Sequence, residues 1–237
     1  MTIKIKKYIS AAGAIIKYES IFDLLCRASK SLLHRVIFIE NYYVEIASLS
    51  GPFEPGNYLP KVEDYHACII STNKEADELL SQGYTFGAYE LNLRSTLDKG
   101  ARTCAIFIDK EFAHMITKTD NARGKDAVDS RPFHVDFDKG DIVGGKAFTV
   151  PKFRRLGLRK YSLYMMRKDD QERGYRNAYA TITMSNLPSL KYAAQNPYNK
   201  IISKCRYIKI LCFKYLKEKK IGPIGVKELL EQLDKTD

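Results

Sequence analysis

The spacing of apolar and polar residues divides the chain into short strands and amphipathic helices. Alternating or β-branched runs predict strands at 65–72, 102–108, 111–119, 141–150, 177–184 and 200–216, the last as one or two strands. Apolar residues at helical spacing predict helices at 8–34, 73–83, 158–173, 185–196 and 226–233. A second short helix is expected to end near Gly100, and residues 120–135 are polar and loop-like.

The first 60 residues are expected to form a mainly helical N-terminal extension. Residues 36–49 are rich in β-branched and aromatic residues, which favours a strand, although they could also continue the helix before them. Three prolines and two glycines within 50–61 then end any regular element. We therefore predict a boundary there, with residues 1–60 as the extension and 61–237 as one domain.

The order of elements from residue 65 defines the fold class. It reads β-α-(α)-β-β-β-α-β-α-β(-β), which is an α+β pattern. The helix at 158–173 connects two strands as a crossover and requires at least one parallel pair. A mixed, mostly antiparallel sheet flanked by helices is the expected architecture.

Cysteine and histidine usage points to a reducing compartment and away from a metal site. The five cysteines form no C-x-x-C pair, and the four histidines lack metal-ligand spacing. The apolar patch at 8–16 ends early at Lys17, which disfavours a secretory signal. We expect a cytoplasmic protein without a metal.

Positive charge is concentrated in the last third of the chain. The net charge is +11, and residues 151–237 alone carry 20 basic and 8 acidic residues. The excess begins in the stretch "VPKFRRLGLRK" at 150–160. A field of this kind attracts polyanions or anionic cofactors.

The stretch 150–160 is suited to bind an anion because a strand enters a glycine turn and then a helix. The first backbone N–H groups of a helix lack internal partners and lie at the positive end of its dipole. Gly157 would allow close backbone approach, and the flanking arginines add bidentate donors. Neither G-x-x-x-x-G-K-[ST] nor G-x-G-x-x-G is present, so the stretch is neither a P-loop nor a dinucleotide fingerprint.

At this point the chain resembles the GCN5-related N-acetyltransferase (GNAT) superfamily. The family's pyrophosphate loop, Arg/Gln-x-x-Gly-x-Gly/Ala, is matched from Arg154 to Arg159, with a proline and an aromatic residue before it. The family's second motif, Asn-x-x-Ser/Ala, is matched from Asn186 to Ser189. The resemblance covers about residues 65–216.

The resemblance implies an acyl-CoA cofactor, first of all acetyl-CoA, and a set of residues that bind it. It places the pantetheine arm beside the backbone of the fourth strand, the pyrophosphate in the loop, the 3′-phosphate near a basic side chain and the thioester near the second motif. The implied cofactor-binding residues are Phe148, Thr149, Val150, Arg154, Arg155, Leu156, Gly157, Leu158, Arg159, Lys160, Asn186 and Ser189.

Two departures from the family pattern concern catalysis. Arg159 stands where the loop has a small residue, and the general-acid tyrosine expected seven residues after Asn186 is displaced by one position to Tyr192. The candidate bases are His114, which is preferred, and Glu111, with His134 and Asp136 as alternatives. His114 could equally be a half-buried strand histidine. Tyr192 is the candidate general acid, although it lies one residue before the family's position.

Three functions are compatible with these observations. The leading one is an N-acetyltransferase, an enzyme that transfers an acyl group from acyl-CoA to a small-molecule or peptide amine. The second is a catalytically silent CoA-binding or interaction module of the same fold. The third, and weakest, is a nucleic-acid-binding protein that uses the basic last third. A homodimer is left open.

Overall fold

Eight strands in the described part of the chain form a single mixed sheet. The computed structural model describes residues 37–50 and 58–234. The strands are β1 (Ile37–Ser48), β2 (Tyr65–Ile70), β3 (Ala101–Ile108), β4 (Glu111–Thr119), β5 (Asp141–Thr149), β6 (Asn177–Thr183), β7 (Asn199–Ile210) and β8 (Phe213–Gly225). Their spatial order is β2-β3-β4-β5-β6-β1-β7-β8. The predicted α+β architecture is confirmed, and 200–216 contains two strands rather than one.

Six α-helices of the described residues cover the two faces of the sheet. They are α1 (Asn73–Ser81), α2 (Glu90–Leu97), α3 (Ala122–Val128), α4 (Leu158–Glu172), α5 (Leu187–Ala193) and α6 (Val226–Leu233). Helix α3 corrects the prediction of a loop over 120–135. Its start is marked by Asn121, whose side chain accepts a hydrogen bond from the Gly124 backbone.

The first strand of the described residues lies inside the sheet, with neighbours on both sides. β1 runs antiparallel to β6 on one side, with Tyr42 opposite Thr183, and antiparallel to β7 on the other. This position corrects the boundary that was predicted near residue 60, because residues 37–48 belong to the same sheet as the rest. The strand alternative for 36–49 is confirmed from Ile37 onward. The helix predicted at 8–34 lies outside the described residues.

The parallel pair predicted from the crossover helix is formed by β5 and β6. Only three residue pairs are in register, from Asp141 opposite Asn177 to Val143 opposite Tyr179. Beyond these pairs the two strands separate, although β5 stays paired with β4 and β6 stays paired with β1. A gap therefore opens in the sheet toward the end at which β5 leads into α4.

Alternate residues of β3 pack on opposite faces of the sheet. Ala105 and Phe107 join the core beneath α1 and α2, whereas Ile106 and Ile108 pack with Leu158 of α4. On β1, Tyr43 packs with α5 and α6, and Tyr42 faces the other way. Helices α1 to α3 thus lie on one face of the sheet, and α4 to α6 lie on the other.

Helix α4 is fixed to the sheet by apolar contacts and by buried charges. Met166 is fully buried against Cys104 and Ile116. Asp170, also fully buried, accepts hydrogen bonds from Arg102 on β3 and Lys118 on β4. These contacts set the position of the N-terminal turn of α4. No helix of the described residues is long and apolar enough to cross a membrane.

Candidate functional site

The turn before α4 has the backbone conformation that an anion site requires. Gly157 is the N-cap residue with a φ of 78°, a left-handed value that favours glycine. Its carbonyl accepts hydrogen bonds from the N–H groups of Lys160 and Tyr161 at 3.0 and 3.2 Å. No side chain of the described residues caps this helix end, and Arg155 is also left-handed at φ 68°. The turn therefore presents backbone donors rather than a side-chain cap.

Basic side chains of the predicted loop surround this turn. Arg154, Arg155 and Lys160 are exposed. The Lys160 Nζ atom lies 5.2 Å from the ring centroid of Tyr58. Leu158 is buried beneath the helix, whereas the carbonyl of Leu156 accepts a hydrogen bond from Lys61 at 2.8 Å. The structure therefore brings the predicted loop residues together around one helix end.

The predicted pantetheine-binding strand contributes backbone rather than side chains. Phe148 packs on Tyr89, with ring centroids 4.5 Å apart, and Val150 is buried with its N–H bonded to Ala113 at 2.9 Å. Within the described residues no strand pairs with the β6-facing edge of β5 after Val143. From Gly144 onward this edge therefore has no neighbouring strand, which begins earlier than the predicted residues 148–150.

His114, the preferred base, is enclosed by two hydroxyl groups. Nδ1 lies 2.7 Å from Thr149 Oγ1, Nε2 lies 2.8 Å from Ser162 Oγ, and the residue has no exposed surface. Desolvation lowers the pKa of His114 to about 3, with Arg159 acting in the same direction. The imidazole is therefore neutral and joins β4, β5 and α4, which matches the alternative of a buried strand histidine.

The other predicted bases are engaged in ion pairs at the surface. The Glu111 carboxylate lies 2.5 Å from Lys152 Nζ. Asp136 is paired with Lys139 at 2.7 Å, and the Lys139 hydrogen bond lowers the pKa of that carboxyl. His134 is exposed. The geometry brings none of these residues to the turn at Gly157.

The second predicted motif forms the start of α5. The Asn186 side chain is the N-cap and accepts a hydrogen bond from the Ser189 backbone N–H at 3.2 Å. Spacing of Asn and Ser by three residues is thus explained by a helix cap. This cap also sets the position of Tyr192 two turns later.

Arg159 and Tyr192 connect the two helices beside the gap. The guanidinium carbon of Arg159 lies 4.6 Å from the ring centroid of Tyr192, within the range of a cation–π contact. Burial raises the pKa of Tyr192, and Arg159 partly opposes this shift. The two departures from the family pattern are therefore in contact with each other.

Glu45 of β1 is a candidate site residue that the sequence analysis missed. It is 8% exposed and pairs in register with Ala180, the first β6 residue beyond the parallel pairs. Burial raises the pKa of Glu45 to about 7, against the opposing effects of Arg159 and a hydrogen bond from Asn199. Its alternation with Tyr43 in "NYYVEIA" was the available signal, because both side chains face α5 and α6.

A cavity of about 450 Å³ lies beyond Glu45, between α5, α6 and the start of β7. Asn199, Glu228 and Glu231 are among its lining residues, and none of the predicted site residues lines it. Asn199 lines the cavity, and its side-chain amide donates a hydrogen bond to the Ala193 carbonyl at 3.3 Å. Among the described residues no group of three or more His, Cys, Asp or Glu side chains could hold a metal ion.

No protein-family model and no curated protein matches this chain. Solved structures similar to it include several GCN5-related N-acetyltransferases. One is a GCN5-related N-acetyltransferase-like protein from Streptococcus suis, with 15% identity, coverage of 81% of this chain and 68% of that one, and a TM-score of 0.44.

Two other solved structures are similar to this chain. A GNAT-family acetyltransferase from Colwellia psychrerythraea has 9% identity, coverage of 74% and 56%, and a TM-score of 0.41. A Drosophila protein has 14% identity, coverage of 78% and 57%, and a TM-score of 0.45. The chain thus spans a little over half of the length of these two neighbours.

Proposed function

We propose that this chain is an acyl-CoA-dependent N-acyltransferase, with acetyl-CoA as the first donor to test. The observation that carries the proposal is the gap between β5 and β6, which opens toward the uncapped, basic N-terminus of α4. A strand edge that lacks a neighbouring strand suits the amide groups of a pantetheine arm, and a helix N-terminus suits a pyrophosphate. The resemblance of the Arg154–Arg159 loop to the GNAT pattern supports the same ligand.

The residues present fit this cofactor. Backbone N–H groups of residues 157–159 would hold the pyrophosphate, and Gly157 provides the required left-handed turn. Arg154, Arg155 or Lys160 would hold the 3′-phosphate, since all three are exposed at the turn. The edge of β5 from Gly144 to Thr149 would accept the pantetheine arm.

When bound, acyl-CoA would supply an activated acyl group as a thioester. An amine would form the new C–N bond at the thioester carbonyl carbon while the C–S bond breaks. The protein would orient the amine and accept its proton. His114 is unsuited to that proton transfer because both ring nitrogens are bonded to hydroxyl groups.

Calorimetry with CoA and dephospho-CoA tests the proposed binding site. We expect wild-type protein to bind CoA, and Arg155→Ala to weaken CoA binding by roughly tenfold, as loss of a charge-assisted phosphate contact would. If Arg155 contacts the 3′-phosphate, the same substitution should leave dephospho-CoA binding nearly unchanged. Parallel substitutions of Arg154 and Lys160 identify the residue that contacts this group.

Lys168→Ala is the matched control for these variants. Lys168 is exposed on the same helix and pairs with Glu172 at 3.9 Å, so its removal changes the charge equally away from the turn. Absence of heat with millimolar acetyl-CoA and longer acyl-CoAs would refute the acyltransferase. A panel of primary amines assayed for CoA release then separates an enzyme from a silent binder.

A catalytically silent CoA-binding module is the alternative that the Arg159–Tyr192 contact favours. Arg159 replaces a small loop residue and lies across α4 and α5, where it occupies space between the two helices. In that case CoA would bind, yet no amine in the panel would be acylated.

The hairpin of β7 and β8 favours nucleic-acid binding as a second candidate function. Phe213 and Tyr215 are 76% and 57% exposed, and Lys214 and Lys217 lie on the same strand. Exposed aromatic rings among lysines suit stacking on single-stranded bases. Salt-dependent binding to oligo(U) that is lost in Phe213→Ala and unaffected by CoA would support this function.

A further inference from the structure

The hairpin of β7 and β8 carries an exposed apolar surface near its turn. Residues that lie opposite each other on antiparallel strands have their side chains on the same face of the sheet. Two consecutive rows across β1, β7 and β8 are apolar, namely Ile37, Ile210 and Phe213, then Ile39, Ile208 and Tyr215. Ile208 is half-buried and the other five are exposed. These two rows are called the apolar rows below.

The turn of the hairpin adds a further exposed apolar side chain. Leu211 and Cys212 form the connection between the strands, and Leu211 is 61% exposed with a φ of 52°. Two-residue hairpin turns favour glycine or asparagine where φ is positive, because other L-residues disfavour the left-handed region. A leucine that is held in this conformation and exposed at the tip favours a role in binding over a role in the fold.

Basic residues adjoin the apolar rows. The next two rows on the same face are Asn41, Arg206 and Lys217, then Tyr43, Lys204 and Lys219. None of the residues in the four rows is acidic. On the opposite face Lys209 and Lys214 lie opposite each other, close to the turn. The hairpin therefore combines an apolar tip with positive charge beside and behind it.

The spacing of the rows matches the depth of a membrane interface. Successive rows on one face are about 7 Å apart, so the apolar rows span the depth to which interfacial segments bury their apolar side. The long side chains of Arg206 and Lys217 would then reach the level of the lipid phosphates. Tyr215 would lie at the boundary, where a ring with a polar hydroxyl is favoured.

The composition of the hairpin favours lipid over other partners. Most of its exposed apolar side chains are aliphatic, among them Ile39, Ile210 and Leu211, and these lack the ring that stacks on a nucleic-acid base. β8 lies at the edge of the sheet, so a second copy of the chain would bring its own lysines against those of this strand. A bilayer with anionic lipids accepts aliphatic side chains and attracts cations.

We propose that the tip of the β7–β8 hairpin, together with the first residues of β1, binds the surface of membranes that contain anionic lipids. Leu211 and the apolar rows would enter the interface, and the basic rows would contact lipid phosphates. The inference is independent of the proposed acyltransferase, because it requires no acyl donor and uses no residue of the turn before α4.

Co-sedimentation of the full chain with vesicles tests this proposal. We expect the protein to bind vesicles of equal parts phosphatidylcholine and phosphatidylserine, and to bind pure phosphatidylcholine roughly tenfold or more weakly. Leu211→Gly combined with Phe213→Thr should weaken binding to the mixed vesicles by roughly tenfold or more. Glycine suits a positive φ and threonine suits a strand, so this double variant should keep the thermal stability of wild type. Unchanged vesicle binding by the folded double variant would overturn the proposal.

Matched variants separate the hairpin from the rest of the surface. Leu59→Gly removes another exposed leucine outside the hairpin and should bind the mixed vesicles as wild type does. Arg206→Gln combined with Lys217→Gln should weaken binding by roughly tenfold. Lys74→Gln combined with Lys168→Gln removes the same charge from exposed lysines on α1 and α4 and should have little effect. Equal losses in the two charge variants would indicate general attraction of a basic protein and contradict a specific hairpin site.

A fluorophore at Cys212 measures whether the turn enters the bilayer. Cys212 is the only exposed cysteine of the described residues, and Cys26→Ser with Cys68→Ser removes the competing thiols. We expect the emission of nitrobenzoxadiazole at Cys212 to shift to shorter wavelengths with the mixed vesicles. The same label at Lys168→Cys, in a chain that also carries Cys212→Ser, should show no shift. Vesicle binding without a shift at Cys212 would contradict insertion of the turn.

Two further outcomes would assign the hairpin to another partner. Binding to oligo(U) without binding to the mixed vesicles would make it a nucleic-acid surface. A dimer that Leu211→Gly with Phe213→Thr disrupts, again without vesicle binding, would make it a contact between two copies of the chain. Either result would overturn the lipid proposal. Absence of CoA binding would refute the acyltransferase alone, so the two proposals fail separately.

Discussion

At the scale of single residues, burial changes the ionisation of both Glu45 and His114. Burial shifts both groups toward their neutral forms, which raises the pKa of Glu45 to about 7 and lowers that of His114 to about 3. The two shifts have opposite consequences for the pH dependence of stability. Single substitutions should therefore reveal effects that partly cancel in the wild type.

We expect Glu45→Gln to raise the free energy of unfolding at pH 8 by roughly 1–3 kcal/mol, because a buried charge is removed. The pKa of Glu45 is raised above its usual value of 4.5, so ionisation destabilises the fold above pH 7. The advantage of glutamine should fade as the pH falls from 7 to 4.5. Urea unfolding at pH 8 and pH 4.5 measures it, and exposed Glu63→Gln is the control.

The pKa of His114 is lowered from 6.5 to about 3. The neutral imidazole therefore contributes fully to stability above pH 6.5, and this contribution is lost as the pH falls toward 3. Between pH 8 and pH 5 the loss in the free energy of unfolding is about 2 kcal/mol. We expect His114→Ala to be less stable at pH 8 but to lose less stability on acidification. An acid response equal to that of wild type and of exposed His66→Ala would contradict the assignment.

The turn residues could be predicted from the sequence, whereas the ionisation of Glu45 could not. A glycine among arginines at a strand–helix junction is a local signal, and Gly157 adopts a left-handed conformation there. Alternation places Glu45 on the same face of β1 as Tyr43, but the raised pKa of Glu45 comes from burial. That burial, and the opposing effects of Arg159 and Asn199, come from residues more than one hundred positions away in the chain.

At the scale of elements, the placement of α4 determines where the candidate site lies. Gly157 shapes the N-terminal turn of the helix, and Asp170 fixes its other half to the sheet. Its N-terminal turn depends on Gly157, for which an added side chain would meet Leu59 O at an ordinary 3.6 Å. Space is therefore available, and the φ of 78° is the constraint.

We expect Gly157→Ala to lower stability by about 1–2 kcal/mol because L-residues disfavour the left-handed region. If the turn holds a pyrophosphate, the free energy of CoA binding should weaken by more than the free energy of unfolding does. Calorimetry and thermal unfolding measure the two effects separately. Gly174→Ala, also left-handed at φ 77° and with open space around it, is the matched control for backbone strain. Equal CoA affinity in both variants would argue against the turn as the binding site.

The other half of α4 depends on Asp170. Asp170→Asn should destabilise the protein by about 3–5 kcal/mol, because Arg102 and Lys118 would lose the carboxylate that pairs them in the interior. Exposed Asp138→Asn should have little effect. Urea unfolding curves for the two variants provide the comparison, and a loss below about 1 kcal/mol would indicate that the buried cations find other partners.

Element prediction succeeded where local signals were strong. α1 begins at the predicted residue 73, where Thr72 and Glu75 form a capping box. Helix α3 was missed because "ARGKDAV" has too few apolar residues for a helical stripe. β8 extends beyond the prediction because its lysine-rich exposed edge lacks apolar alternation.

At the scale of the whole molecule, sheet order determines how the candidate site is built. The sequence predicted the sheet type and the parallel pair, since these follow from the order of elements. It could not place β1 between β6 and β7, because strand alternation does not specify a distant partner. The position of Glu45 is a direct result of that placement.

Removal of β1 should leave β6 and β7 without the strand that lies between them. We expect a chain beginning at residue 58 to be insoluble or to lack a cooperative transition, and co-expression with residues 1–57 to restore one. A chain beginning at residue 37 retains β1 and serves as the control. Cooperative unfolding of the 58–237 chain with wild-type stability would contradict this expectation.

The central position of β1 also imposes an order on synthesis. β1 is translated before either of its partners, and β7 is complete only at Ile210. At about 5–20 residues per second, the ribosome needs on the order of ten seconds or more to deliver that partner. Until β6 is complete at Thr183, Tyr42, Tyr43 and Val44 have neither of their two partner strands. The nascent chain must therefore keep this strand from misassembly until the sheet can close around it.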